Sequence, residues 1–198
     1  MDSFLNLIDR LNDCFEAERD DIERRILGSY QRERAVLALD MSGFSLSVRR
    51  NGILNCLSRI RRMQQLTAPL LPKFHGELVK FEADNLLAVF DDVRNAVDAA
   101  LAMNRAVSAY GQSVKDAVPL ALGIGIDYGP LLLIPGKDCF GDAVNVAHKL
   151  GEDVAGPGEI LITPAVRERL GNPLACRLEN LTLSISGLEI SAYRVLQA

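Results

Sequence analysis

The chain has 198 residues, 48% hydrophobic and 24% charged, enough for one domain with a sizeable core plus an accessory segment. A formal net charge of −4, with no basic stripe, argues against nucleic acid as the main partner. No apolar stretch reaches membrane-spanning length, and the acidic, amphipathic start MDSFLNLIDRLNDCF is unlike a signal peptide.

Residues 2 to 27 carry a broken apolar stripe (Phe4, Leu7, Leu11, Cys14, Phe15, Ile22, Ile26) between charges, which predicts a helical segment. This N-terminal unit, residues 1–30, precedes the main domain, residues 35–198, and either packs on it or pairs with a second copy. AVLALD, 35 to 40, reads as a buried strand ending in a carboxylate. MSGFS then turns the chain into a helix over about 46–68, with Leu46, Ile53, Leu57, Ile60 and Met63 on its apolar face and Pro69 and Pro72 ending it.

In VKFEADNLLAVF, 79 to 90, Val79 and Phe81 alternate with Lys80, Glu82 and Asp84. That predicts a strand with its charges on one face and a hairpin turn at Asp84, before the apolar run Leu86 to Phe90. VRNAVDAALAMNRAVSAY is a second amphipathic helix, striped by Val93, Val97, Ala100, Leu101 and Val107. VPLALGIGIDYG, 118 to 129, is a strand with one apolar and one smooth face, and GPLLLIPG is expected to double back as its hairpin partner.

A loop, KDCF, leads to a short helix over Gly141 to Leu150. GEILIT is another strand, Thr163 and Pro164 supply the cap and first residue of the helix PAVRERLG, and LTLSISGLEISAYRVL closes as a hairpin. The order β, α, ββ, α, ββ, α, β, α, ββ specifies an α/β (α+β) sandwich, a mixed sheet with helices packed on it.

Three places carry chemistry. Asp40 ends an apolar run, where a lone carboxylate is costly, and the Gly43 turn and following helix start offer N–H groups to an anion. A plain helix cap is the alternative. Asp84 follows Lys80 and Glu82 at a hairpin turn; two carboxylates from neighbouring strands suit divalent ions, although Asp is also an ordinary turn residue. Asn145 and Lys149 stack on one helix face, as an amide beside a cation or as a solvated surface. His75 and His148 read as surface residues, and Cys14, Cys56, Cys139 and Cys176 as free thiols in a reducing cytoplasm.

Together, LALDMSGFS, LVKFEADNLLAVF, GIGIDYGPL, DCFGDAVNVAHKLGEDVAGPGEILIT and SAYRVL resemble the class III nucleotidyl cyclase catalytic domain, the adenylate and guanylate cyclase family. These blocks run in family order from about residue 35 to 196. The resemblance implies a palm-type, ferredoxin-like fold with a mainly antiparallel sheet. It implies Asp40 and Asp84 as the carboxylates for two divalent cations, Mg²⁺ or Mn²⁺, helped by the Met41 carbonyl. The backbone of Ser42, Gly43, Phe44 and Ser45 would cradle the β- and γ-phosphates. Lys80 falls where adenylate cyclases place the lysine that reads adenine, and Asp138 on its partner; guanylate cyclases carry Glu and Cys there. Asn145 matches the asparagine that orients the ribose. A head-to-tail homodimer with its active sites at the interface is implied, the cations held by one protomer and the base by the other.

The chain departs from the pattern at several positions. Lys149 stands where the family has arginine and loses the forked grip on phosphate. A lysine expected in the last hairpin is replaced near Ser186. Ala83 takes the place of a glycine, and Asn85 follows Asp84. Conversion of ATP to cyclic AMP is the leading expectation. A UTP or CTP substrate, as in the pyrimidine cyclases of bacterial anti-phage systems, is the second, since these 198 residues include no sensor domain. A non-catalytic dimerisation or nucleotide-binding module is the third.

Overall fold

The computed structural model describes residues 3–42, 52–113, 120–171, 177–185 and 188–196. The segment expected as one helical stripe is a pair: α1 (Phe4–Asp13), capped by the Ser3 hydroxyl, and α2 (Glu16–Tyr30). Cys14 and Phe15 between them are extended. The stripe slips phase there, and the break folds Leu7 onto Ile22 and Ile26. Within the pair the Phe4 ring meets Tyr30 edge-on at 5.1 Å, and it packs on the main domain by stacking on Phe140 at 6.1 Å.

β1 (Gln31–Met41) starts earlier than AVLALD suggests. It is followed by α3 (Ile53–Thr67), two short 3₁₀ turns at the prolines, and the hairpin β2 (Gly76–Glu82) and β3 (Asn85–Phe90). Then come α4 (Val93–Ser113), β4 (Leu122–Ile134), β5 (Asp138–Phe140), α5 (Asp142–His148), β6 (Ile160–Ile162), α6 (Pro164–Leu170), β7 (Arg177–Ile185) and β8 (Leu188–Leu196). The sheet runs β2-β3-β1-β4-β6-β8-β7, with β5 beside β4. Its pairs are antiparallel except β4 with β6. This is the mixed, mainly antiparallel sheet flanked by helices that the element order specifies.

GPLLLIPG does not double back. β4 runs straight through it, and β5, within the expected loop, is the returning strand. Pro130 is tolerated because β6 pairs only with Ile124 to Ile126 and β5 only with Leu132 to Ile134, so among the described residues no strand pairs with the outer edge of β4 beside it.

One sheet face packs against α3, α4 and α6 through Leu37, Leu39, Phe90, Ile124 and Ile126. The other carries Val36, Ala38, Leu87, Val89, Leu131 and Leu133 against Ala143, Val144 and Ala147 of α5. A bulge in β2 changes the expected alternation. Register slips between Leu78 and Lys80, so Leu78 and Phe81 face the α4 side while Val79 lies in the α5-side cluster. Lys80, opposite Leu87, follows Val79 onto the α5 side.

The smooth half of β4 lets α5 and the wide π-type turn after it, Lys149–Val154, approach the sheet closely. A Cβ on Gly125 would come within 2.2 Å of the Ala147 carbonyl oxygen and 2.5 Å of the Gly151 nitrogen. One on Gly151 would meet the Ala38 oxygen at 2.7 Å. No side chain fits between these backbones. Thr163 closes the far end: its hydroxyl donates to the buried Asp127 carboxylate at 2.5 Å and accepts from the Val166 N–H of α6.

Gly125→Ala is therefore expected to destabilise the fold by about 1–3 kcal/mol or more through overpacking. Gly28→Ala, in α2 with open space around it, is expected to stabilise by about 0.5–1 kcal/mol. Denaturant midpoints at constant slope check both signs.

Candidate functional site

Asp40, next to last in β1 and opposite Gly123, lies on the α5 side of the sheet. Asp84 sits in the turn between β2 and β3, after Ala83 at φ 49°. A non-glycine residue in this left-handed region costs on the order of 1 kcal/mol, and it stands where the family pattern has glycine. The turn brings the two carboxyl groups into hydrogen-bond contact. Burial first, then the negative charges of Asp84 and Glu152, push the Asp40 carboxyl up to about 7. Burial and Glu152 also raise Asp84, against its own backbone hydrogen bond. Two carboxylates pressed together this way share a proton unless a cation lies between them.

Lys80 is the second centre. Its Nζ lies 3.1 Å from Asp138 Oδ2 and 3.0 Å from Glu82 Oε2. Those partners raise its pKa, Glu82 most, against burial. The Cys139 N–H donates to Asp138 Oδ1 at 2.9 Å and orients that carboxylate. Burial, with the Asp138 charge adding to it, pushes the Cys139 thiol up to about 12, so it stays protonated and inert. Cys14, Cys56 and Cys139 form no disulfide.

Asn145 and Lys149 lie four apart on α5 and the turn after it, and the Lys149 N–H donates to the Asn145 carbonyl. Among the described residues no hydrogen bond holds either side chain. Met41 has a buried side chain and ends β1. The Ser42 N–H is taken by the Ala121 carbonyl at 3.0 Å, so it is not free to bind phosphate. Gly43, Phe44, Ser45 and Ser186 lie outside the described residues.

Sequence reasoning missed Glu152 and passed over His148 and Asn85. The His148 Nδ1 lies 2.6 Å from Glu152 Oε1, and Asn85 Nδ2 donates to the same oxygen at 3.0 Å. The His148–Glu152 spacing of four was the available signal; the contact with Asn85, 67 residues away, had none. These three side chains line a cleft of about 230 Å³ with Lys80, Glu82 and Leu87. A larger cleft, about 740 Å³ between α4 and the start of β4, is lined by Asn104, Val107, Ser108 and Leu120 among others and holds none of the candidate residues.

The donor set around Asp40 suits a hard divalent cation. It offers two carboxyl groups whose pKa values are raised first by burial and then by nearby negative charge, Asp84 and Glu152 for Asp40 and Glu152 for Asp84, and Asn85 Oδ1 is buried without a hydrogen-bond partner. Among the described residues, no three His, Cys, Asp or Glu side chains are grouped closely enough to hold a metal by themselves.

No protein-family profile matches the chain. A protein of Rhizobium meliloti (strain 1021) named "Putative adenylate cyclase 3" is 29% identical over 138 residues, 70% of this chain and 23% of that protein's length. The adenylate/guanylate cyclase/hydrolase from Silicibacter pomeroyi superposes with a TM-score of 0.74 at 28% identity, covering 85% of this chain and 98% of that one. The adenylyl cyclase CyaB from P. aeruginosa does so with 0.74 at 19% identity, covering 85% and 95%. The guanylyl cyclase Cya2 gives 0.74 at 21% identity, covering 85% and 93%. Among the described residues no helix is long and apolar enough to cross a membrane.

The raised pKa of Asp40 has a thermodynamic sign. The native state holds this proton up to about pH 7, whereas the unfolded chain releases it near 3.8, so this group lowers stability as pH rises through that window. Asp40→Asn removes the effect. The variant is expected to melt above the wild type at pH 8 without divalent cations, and to lose most of the decline between pH 4 and 7. Calorimetry across that range checks both.

Proposed function

From a chain with the class III adenylate/guanylate cyclase catalytic-domain fold, we propose a nucleotidyl cyclase that converts ATP to 3′,5′-cyclic AMP and pyrophosphate. The observation that carries the reading is that one sheet face joins Lys80 to Asp138 and Asp40 to Asp84. The first pair offers an ammonium donor beside a carboxylate acceptor, which complements the ring nitrogen and amino group of adenine. The name of the Rhizobium meliloti relative points the same way.

In this reading Asp40, Asp84 and the Met41 carbonyl hold two divalent cations, Mg²⁺ or Mn²⁺. Cations held there would supply Lewis acidity toward the ribose 3′-hydroxyl and positive charge toward the triphosphate. The 3′-hydroxyl gives its proton to water, the 3′-oxygen forms its bond to the α-phosphorus as the bond to the α–β bridging oxygen breaks, and pyrophosphate leaves. Asn145 orients the ribose, and Lys149 places positive charge beside the phosphates. The chain's part is positioning and electrostatics.

The phosphate cradle narrows to Gly43, Phe44 and Ser45, since the Ser42 N–H is engaged. Glu82 gains a role, holding Lys80 together with Asp138. The active site is completed across a head-to-tail homodimer, one protomer supplying the cation carboxylates and its partner Lys80, Asp138, Asn145 and Lys149. A cytoplasmic location fits a nucleotide substrate and the absence of a disulfide at Cys14, Cys56 and Cys139.

The protein is incubated separately with ATP, GTP, CTP and UTP, with Mg²⁺ or Mn²⁺, and products are read by mass spectrometry. Cyclic AMP, abolished by Asp84→Ala, is expected. A cyclic pyrimidine nucleotide would keep the mechanism and sink the base assignment, and no cyclic product from dimeric protein would leave a nucleotide-binding module. Lys149→Arg restores the forked contact and is expected to raise kcat up to about tenfold with little change in KM.

A further inference from the structure

Asn85 and His148 reach Glu152 from two sides. The Asn85 amide comes from the β2–β3 turn and the His148 ring from the end of α5, and both meet Glu152 Oε1. A carboxylate only accepts, so His148 carries its proton on Nδ1 and both neighbours donate. The amide orientation is settled by the same logic, because a flipped Asn85 would set its oxygen against the Glu152 oxygen. With both donors on Oε1, the Glu152 carboxylate is held by links to two separate elements.

The other ends of these links lie at the cation carboxylates. Asn85 follows Asp84 directly in a turn strained by the positive φ of Ala83, and Asp84 hydrogen-bonds Asp40. The Glu82–Asn85 pair closes the hairpin around this strained turn, and a further anchor can come from outside it. Glu152 supplies one, three residues beyond Lys149 on a segment locked to the sheet through Gly151. The other atom of the Asn85 amide, Oδ1, is buried with no hydrogen-bond partner.

We propose that Glu152 is a positioning residue of the cation site, acting through Asn85 to hold the Asp84 turn and itself held by His148. The proposal rests on Asp40 and Asp84 binding a divalent cation. It assigns to three side chains without a part in the cyclase reading one task, which is to tie the cation-binding turn to the helix that carries Asn145 and Lys149. Glu152 is also a third negative charge beside the pair, and its removal weakens cation binding in the same direction.

The test is direct Mn²⁺ binding to the nucleotide-free, full-length protein by electron paramagnetic resonance, with melting curves to confirm folding. Glu152→Gln and Asn85→Ala are each expected to raise the Mn²⁺ Kd about tenfold, the usual scale for an outer-shell partner. The double variant is expected to be no weaker than the worse single one, because the two act in series. His148→Gln, which keeps a donor, is expected to bind better than His148→Ala. If Glu152→Gln binds Mn²⁺ as the wild type does while Asp84→Asn does not, the proposal falls and the cation site stands. Full additivity of Glu152→Gln and Asn85→Ala would overturn the route through Asn85. Wild-type binding by Asp84→Asn would remove the cation site and the proposal with it.

Discussion

Everything on the α5 side of the sheet depends on a contact with no side chain in it. The Gly125 and Gly151 backbones lie so close that a Cβ on either would strike backbone atoms of the other or its neighbours. Packing at this distance is unforgiving, because interiors at near-crystalline density have no slack to absorb a methyl group. It fixes the height of α5 above the sheet, and with it Asn145, His148, Lys149 and Glu152. A side-chain-mediated interface at the usual helix-to-sheet spacing would lift Glu152 away from Asn85.

Charge organises the same face. Lys80 is over-supplied with carboxylates, Asp138 and Glu82, which keeps it protonated and oriented. Asp40 and Asp84 are in the opposite condition, pressed together with Glu152 nearby and no described cationic side chain among the causes of their shifts. One half of the face is electrostatically satisfied and the other is strained. Strain of this kind persists when the surrounding fold over-determines it. Here the over-determination comes from β1, the β2–β3 turn and the Gly151 segment converging on one place.

The fold was largely legible because it follows from periodicity. Apolar stripes at Val93, Val97 and Ala100, the Pro69 and Pro72 stops, and the Thr163–Pro164 cap each report a local preference that tertiary packing left intact. The failures share a cause. GPLLLIPG reads as a strand that doubles back because its glycine and proline favour a reversal there, but the sheet supplies partners for one straight strand. The clean alternation at Val79 and Phe81 was overridden by a bulge, since register belongs to the pairing with β3 and not to β2 alone. The break at Cys14 and Phe15 lay inside a stripe whose phase slip was visible but whose geometric result was not.

The amino-acid sequence by itself determined which residues could do chemistry and in what order they come: Asp40 after an apolar run, Lys80 and Asp84 four apart, Asn145 and Lys149 on one helical face. Those are short-range relations, carried by strand and helix geometry alone. The meeting of Lys80 with Asp138 across 58 residues, and of Asn85 with Glu152 across 67, belongs to the tertiary structure. Sheet order and the close glycine contact decide it, because they set which distant backbones lie within hydrogen-bond reach, and no local pattern encodes that distance.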